Sequence, residues 1–446
     1  MTQEQSNLLN LDLIELPASL SNAINDSQIR TSPIEATVNS VAEIEQLVSP
    51  DAISVIPDEI LLPSPFPPPF NIILGTENND FLVGSLGAND TFNDLIIGFG
   101  GNDIILGLEG EDTILGGTGN DLLYGGPESA FSSPVILPFF GDDDLLFGED
   151  GHDRFIGGRG NDLFNGGSGT DKADYTDLGQ AITLKAQGVI DKGSLGQDQI
   201  IDIETILGAK GQRNSIDGSD DNGITSFDIN LSQKRLVVQD IPRLGDVQFK
   251  VRRFLDVTGT NQNDQIVGSN RRNILIGRGG NDHLSGLGGK DTINGVDPFS
   301  IRPGFNEIDY LSGGAGKDTF VIGDNQNNYY LGGGFFGLND FAYIKDFQSG
   351  LDKIQLKKGK NYIFGNNFIA IGNPFDFRTL ETFDSLIKGL DADGVLNMGA
   401  SLPSTVGNSA LSLDGTTNAE SLTILPNFDL VAIVNTSYSQ QDLVFV

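Results

Sequence analysis

Cysteine is absent from this chain of 446 residues, which excludes a disulfide scaffold, thiol catalysis and a cysteine-rich zinc site. Histidine is nearly absent: His152 and His283 are too few for soft-metal chemistry, and both sit beside repeat aspartates in turns, without a triad context. Positive charge is scarce, with 27 Lys and Arg against 61 Asp and Glu and a net charge of -34. Such a chain repels nucleic acid and anionic membranes and attracts cations. No run of 18 apolar residues occurs, so no transmembrane helix or membrane insertion is expected. The opening MTQEQSNLLNLDLIELPASL lacks a basic segment followed by an apolar core, so no cleaved secretory signal is expected. Catalytic signatures are missing as well: there is no H-E-x-x-H, no G-x-S-x-G and no G-K-[ST]. No catalytic residue is expected.

What the chain has is glycine, 58 copies, and a rhythm. Aligned on aspartate, GFGGNDIIL (98–106), GLEGEDTIL (107–115) and GGTGNDLLY (116–124) follow one another without a gap. GEDGHDRFI, GGRGNDLFN and GGSGTDKAD (148–174) form a second run, and GTNQNDQIV, GSNRRNILI, GRGGNDHLS and GLGGKDTIN (259–294) a third. GGAGKDTFV (313–321) is a late copy, and PESAFSSPVILPFF (127–140) reads as a loop that leaves the series and rejoins it. Three residues in each nine are strand-like, and the middle one is apolar: Ile105, Ile114, Leu123, Phe155, Phe164, Leu275, Leu284, Ile293 and Phe320. The other six suit turns, with glycine supplying positive φ and close backbone approach. Strand, turn, strand, turn makes an 18-residue coil, and coils stacked at strand spacing give two parallel sheets around an apolar seam. The expected fold is all-β: a parallel β-roll or β-solenoid of nonapeptide repeats, with a C-terminal β-rich cap and a disordered N-terminal arm.

The expected divisions follow composition. Residues 1–55 form the arm, with short helices at best, and the proline-rich IPDEILLPSPFPPPFN (56–71) is an extended linker. Residues 72–174 and 259–322 are two repeat rolls. Between them, 175–258 loses the glycine phrase but keeps strand-like alternation, as a divergent β-solenoid segment. The aromatic-rich 323–446 is the cap that a solenoid's last coil needs.

The sixth residue of each repeat carries the chemistry. Asp103 and Asp121 are one coil apart and are expected to stack, as are Asp94 with Asp112, Asp144 with Asp162, Asp153 with Asp171, and Asp264 with Asp282. Asp80, Asp291 and Asp318 hold the same position in their own copies. Strands lie about 4.8 Å apart, and carboxylates stacked at that distance repel unless a cation lies between them. Calcium suits such a ladder, taking 6 to 8 oxygens at about 2.3–2.6 Å in flexible arrangements. Carboxylates from two levels would share it with turn carbonyls, for which Gly98, Gly107, Gly116, Gly157, Gly277 and Gly286 are the candidates. Magnesium, with its stricter octahedron and retained waters, fits less well. One copy would be explained by aspartate's preference for turns. Many copies in strict register favour several bound calcium ions.

GGTGNDLLY and GGRGNDLFN match G-G-x-G-x-D-x-U-x, U being a large apolar residue, and so resemble the repeats-in-toxin (RTX) calcium-binding family. DYTDLGQAITL (174–184) and FLDVTGTNQNDQIVG (254–268) resemble connectors between repeat blocks in such proteins, and YIKDFQSGLDKIQL (343–356) their common C-terminal motif. Some copies depart from the pattern: Asn273 replaces the aspartate, Asn78 a glycine, and Arg271 and Arg272 occupy a metal turn, so sites there are expected to be weak or absent. The resemblance implies export from a Gram-negative-type cell by the type I secretion machinery, directed by an uncleaved C-terminal signal, for which QQDLVFV is the candidate, with a plain last strand as the alternative. The expected function is a secreted, extracellular calcium-binding protein that folds on binding calcium, with a structural, surface or matrix role and a polysaccharide as a candidate partner. The rival reading is a polysaccharide-modifying β-solenoid enzyme using 175–258, where Tyr175, Asp240 and Asp246 are available. A pore-forming toxin is disfavoured, since no membrane-insertion segment precedes the repeats.

Overall fold

Strands in this chain are short because each nonapeptide spends six residues on turning. The computed structural model describes residues 34–38, 70–84, 93–108, 110, 112–126, 143–220, 223–332, 339–365, 367–372 and 428–446. Among these, helix is confined to two three-residue 3-10 turns, Gly193–Leu195 and Gln440–Asp442. The chain divides into two compact units. The first comprises Met1–Leu184, Gly188–Asn214 and Phe249–Arg253, and the second Lys185–Gln187, Ser215–Gln248 and Phe254–Val446.

In the first unit, Phe70–Thr76, Asp94–Phe99, Thr113–Gly119, Leu145–Gly151, Leu163–Asn165 and Gln197–Ile201 pair in parallel, each with the next. The nine-residue offset produces a second parallel ladder of Phe81–Val83, Ile104–Leu106, Leu122–Tyr124, Arg154–Ile156, Lys172–Asp174 and Thr205–Leu207. Ile96 pairs with Ile114 and Ile105 with Leu123. Across the insertion at 127–140, which lies outside the described residues, coil spacing lengthens from 18 to 32 residues yet register is kept, Ile114 meeting Leu146.

The second unit repeats the arrangement. Phe254–Thr258, Ile274–Arg278, Thr292–Val296, Thr319–Val321, Lys353–Leu356 and Leu443–Phe445 form one parallel ladder. Ser226–Asn230, Gln265–Ser269, His283–Gly289, Ile308–Ser312, Phe341–Ile344 and Phe428–Val434 form the other. Antiparallel strands Phe368–Gly372 and Tyr362–Phe364 then cover Phe341, Tyr343, Leu430 and Ile433, closing the apolar seam.

All nine mid-strand apolar residues named from the repeat are buried, from 0% to 2% exposed. One reading needs correction. The arm contains a strand, Ile34–Val38, antiparallel to Phe70–Leu74, where short helices at best were expected; IEATV is strand-like and the first coil's edge offers unpaired backbone groups. The rest of the arm and linker residues 56–69 lie outside the described residues. Residues 175–258, expected as a divergent β-solenoid segment, keep parallel rungs at Gln197–Ile201, Thr205–Leu207 and Ser226–Asn230 and add reversals: Thr183–Lys185, Val189–Asp191 and Gln197–Ile201 run antiparallel in sequence, and Ser226–Asn230 pairs with Arg235–Ile241 as a hairpin.

Glycine at the fourth repeat position is a packing requirement. Gly119 has φ +138°, and a Cβ there would lie 1.4 Å from the Gly101 carbonyl of the coil before it. Gly179 also has positive φ, +76°, but open space around it. Gly119→Ala is therefore expected to cost more than about 3 kcal/mol, and Gly179→Ala only about 1 kcal/mol. Urea melts of the calcium-saturated protein check the ordering; equal effects would mean the coils are not stacked this closely.

Candidate metal centres

Each coil presents its repeat aspartates to its neighbours, and where asparagine precedes the aspartate, as at Asn102-Asp103, the two side chains bond in opposite directions. Along one turn edge of the first unit, the backbone N–H of Asp80 donates to Oδ1 of Asp103, that of Asp103 to Asp121, Asp121 to Asp153, and Asp153 to Asp171, at 2.7–2.8 Å. Glu204 accepts from Asp171 and ends the series. The other edge runs Asp94, Asp112, Asp144, Asp162, Asp198 in the same way. In the second unit the rungs are Asp264, Asp282, Asp309 on one edge and Asn273, Asp291, Asp318, Asp352 on the other. The stacking expected for each 18-residue pair is present. The fifth residue returns the bond: Asn102 N–H donates to Asn79 Oδ1, Asn120 to Asn102, and His152 to Asn120. His152 Nδ1 in turn accepts from Thr170, so this histidine serves as an asparagine substitute in a turn. His283 opens a strand and stacks on Tyr310 at 4.6 Å.

One carboxylate oxygen per rung is used in this ladder. The other, Oδ2, is buried without a hydrogen-bond partner at Asp103, Asp121, Asp153, Asp171, Asp282, Asp291 and Asp318. It faces the first glycine of its own repeat: a Cβ on Gly98 would lie 2.3 Å from Asp103 Oδ2 and 2.3 Å from the Gly116 carbonyl oxygen. Gly107 faces Asp112 Oδ2, Gly116 faces Asp121, Gly157 faces Asp162, Gly277 faces Asp282 and the Gly295 carbonyl, and Gly286 faces Asp291. Glycine is needed here to leave a cradle of oxygens rather than for its φ. Among the described residues no three carboxylate or imidazole groups converge on one point. Each level offers a carboxylate oxygen, and main-chain carbonyls lie beside the same glycines as further potential donors. A hard cation with many oxygen ligands fits this set.

Burial and neighbouring like charges both weigh against ionising these carboxyls. Burial pushes Asp103 up to about 8, the neighbouring Asp121 and Asp80 charges adding to it and the Asp80 N–H opposing it. Burial likewise raises Asp121 to about 6, Asp153 to about 7 and Asp291 to about 7. Two glutamates, Glu149 at the second place of its repeat and Glu307, join them. Burial and then Asp150 and Asp121 raise Glu149 to about 7; burial and Asp309 raise Glu307 to about 8.

Other rungs have their second oxygen satisfied by the protein. Thr76 N–H donates to Asp80 Oδ2 and Thr260 N–H to Asp264 Oδ2, both at 2.6 Å, and Tyr330 Oη–H donates to Asp309 Oδ2 at 2.6 Å. Asn273 keeps the ladder without a charge, its Nδ2 donating to Leu255 and its Oδ1 accepting from Ser269. Of the residues available to a polysaccharide-modifying site, Tyr175 is buried and donates to Asp198 at 2.8 Å. Asp240 and Asp246 meet at the ends of two strands, the Asp240 N–H donating to Asp246 at 3.1 Å. A groove of about 510 Å³ in the second unit is lined by Phe227, Asp228, Gln239, Gln265, Asn281 and His283. Its Asp228 is paired with Arg235 at 2.6 Å.

Sequence comparison finds four copies of the RTX calcium-binding nonapeptide repeat, at 74–114, 97–127, 140–173 and 258–293. The chain carries RTX repeats, and these repeats bind calcium. No curated protein matches the chain. A solved structure, the extracellular lipase LipA from Serratia marcescens, is similar at 18% identity and a TM-score of 0.19, over 61% of this chain and 41% of its own. The match thus spans less than half of that lipase, and a likeness this loose carries no inference about activity.

These carboxyls have folded-state pKa values above the ordinary 3.8. The calcium-free fold therefore binds more protons than the unfolded chain between about pH 4 and 8, and its stability falls as pH rises through that window. Once calcium is bound the carboxylates are ionised, as they already are in the unfolded chain above about pH 5, so the calcium-loaded fold should be nearly insensitive to pH from 5 to 8. In chelator the folded fraction should fall as pH rises from 5 to 8, while at saturating calcium the melting temperature stays level; the same pH dependence in both would separate the ladder from calcium.

Proposed function

We propose that this RTX repeat protein is secreted, folds on binding calcium outside the cell, and serves there as a structural or surface component. The observation that supports this most is the series of buried, unpartnered carboxylate oxygens, each beside a glycine cradle. We assign calcium to Asp103, Asp121, Asp153 and Asp171 in the first roll and to Asp282, Asp291 and Asp318 in the second. Where calcium is scarce these charges oppose compaction and keep the chain loose. At millimolar calcium, sites of extracellular-module affinity fill, and binding free energy becomes folding free energy.

The terminal QQDLVFV, proposed as a type I export signal, includes the strand Leu443–Phe445 paired with Lys353–Leu356. An export machine could read it only before that strand pairs, which again requires passage of an unfolded chain. A matrix or surface polysaccharide remains the proposed partner. The rival, a polysaccharide-modifying enzyme, is favoured by the polar groove beside His283, and it requires new chain ends to appear when the protein is incubated with a polysaccharide.

Far-UV circular dichroism during a calcium titration tests the main reading, with magnesium as control. A cooperative gain of β signal, complete by about 1 mM calcium and missing with magnesium, is expected. A spectrum already β-rich in chelator and unmoved by calcium would overturn it.

A further inference from the structure

One rung already has its cation. Lys192 is fully buried, and its ammonium donates to Asp162 Oδ2 at 2.9 Å and to the Gly158 carbonyl at 2.9 Å, and lies 2.5 Å from Asp198 Oδ1. Three N–H groups thus meet two carboxylates from successive coils and one turn carbonyl. This is the donor set that the other rungs offer to a metal. Asp162 keeps its place in the ladder, its Oδ1 accepting from the Asp144 N–H at 3.0 Å. The remaining oxygen of Asp198 accepts from Tyr175. Neither carboxylate retains a free buried oxygen, in contrast to Asp121 or Asp153.

The local sequence explains how the lysine arrives there. GSLGQDQII (193–201) is an unrecognised repeat copy, with Gly193, Gly196, Asp198 and Ile200 in the first, fourth, sixth and eighth places. Its strand continues the parallel ladder, Phe164 pairing with Ile200. Lys192 immediately precedes its first glycine. The turn is held from both sides, Lys192 N–H donating to Gly196 and Gln180 Nε2 donating to the Lys192 carbonyl.

We infer that Lys192 is a tethered substitute for calcium, and that the Asp162–Asp198 rung binds no metal and assembles without it. This rests on the calcium reading of the other rungs. The rung lies where the regular repeats end, since the next coil reverses into antiparallel strands. A built-in ammonium closes the ladder at this end, and it fixes the register of the last repeat coil at any calcium concentration.

The test counts calcium ions on the full-length protein by native mass spectrometry, with melting followed in parallel. Lys192→Ala removes the ammonium and leaves space for an ion, so it is expected to bind one calcium more than the parent. Its folding midpoint should move to higher calcium, with the folding equilibrium at low calcium falling by more than about a hundredfold. Lys192→Met with Asp198→Asn restores the rung's net charge without an ammonium; it should recover much of that loss and bind no additional ion. An unchanged ion count in Lys192→Ala, with equal destabilisation at low and high calcium and no recovery in the double variant, would reduce Lys192 to a packing residue. If the parent itself binds no calcium, the underlying calcium reading fails instead, whatever Lys192 does.

Discussion

Stacking like charges at strand spacing is the constraint on which the rest of this structure depends. A parallel coil places identical residues one above another, so a repeat that uses aspartate in its turn must build a column of carboxylates. Backbone N–H groups consume one oxygen of each, as in Asp80 to Asp103 to Asp121. The second oxygen is buried by the same packing that brings the coils together. Folding therefore creates the charge problem and the cradle of oxygens in one step, and under the proposed calcium assignment coil stacking and metal binding become a single equilibrium.

The remaining features of the repeat answer to that column. The first glycine leaves room for the carboxylate, and the fourth lets its coil approach the one before it. The fifth residue ties the coils together in the opposite sense through asparagine. Position two is left-handed even where it is not glycine, as at Phe99, Leu108 and Glu149. Strain there is supported by the coils on either side. At other rungs the protein itself supplies the partner: a threonine N–H at Asp80 and Asp264, a tyrosine hydroxyl at Asp309 and an ammonium at Asp162, while Asn273 brings a neutral amide.

How much of this was legible from residues alone depended on the nine-residue count. Where the count was unbroken, the buried strand centres, the two parallel ladders and the stacked aspartate pairs all followed from periodicity. Where insertions intervene, the count was lost and partners were missed. Asp198 stands 36 residues from Asp162, and Glu204 stands 33 from Asp171. GSLGQDQII keeps the four defining residues and was findable by pattern. SYSQQDLVF (437–445) keeps only Asp442 and Val444, yet its strand still pairs with Lys353–Leu356. Lys192 had no sequence signal, because a lone lysine is identified as a cation substitute only by the oxygens around it. The opposed direction of the Asn and Asp bonds was equally hidden, being a matter of which coil's N–H faces which side chain.

The central claim is that the unpartnered Oδ2 atoms hold calcium, and anomalous diffraction from crystals grown in calcium tests it most directly. Peaks within about 2.3–2.6 Å of Oδ2 of Asp103, Asp121 and Asp153 are the result this account predicts. Ordered coils without peaks there, in crystals equilibrated with millimolar calcium, would contradict it and leave a ladder of protonated carboxyls as the explanation of the fold.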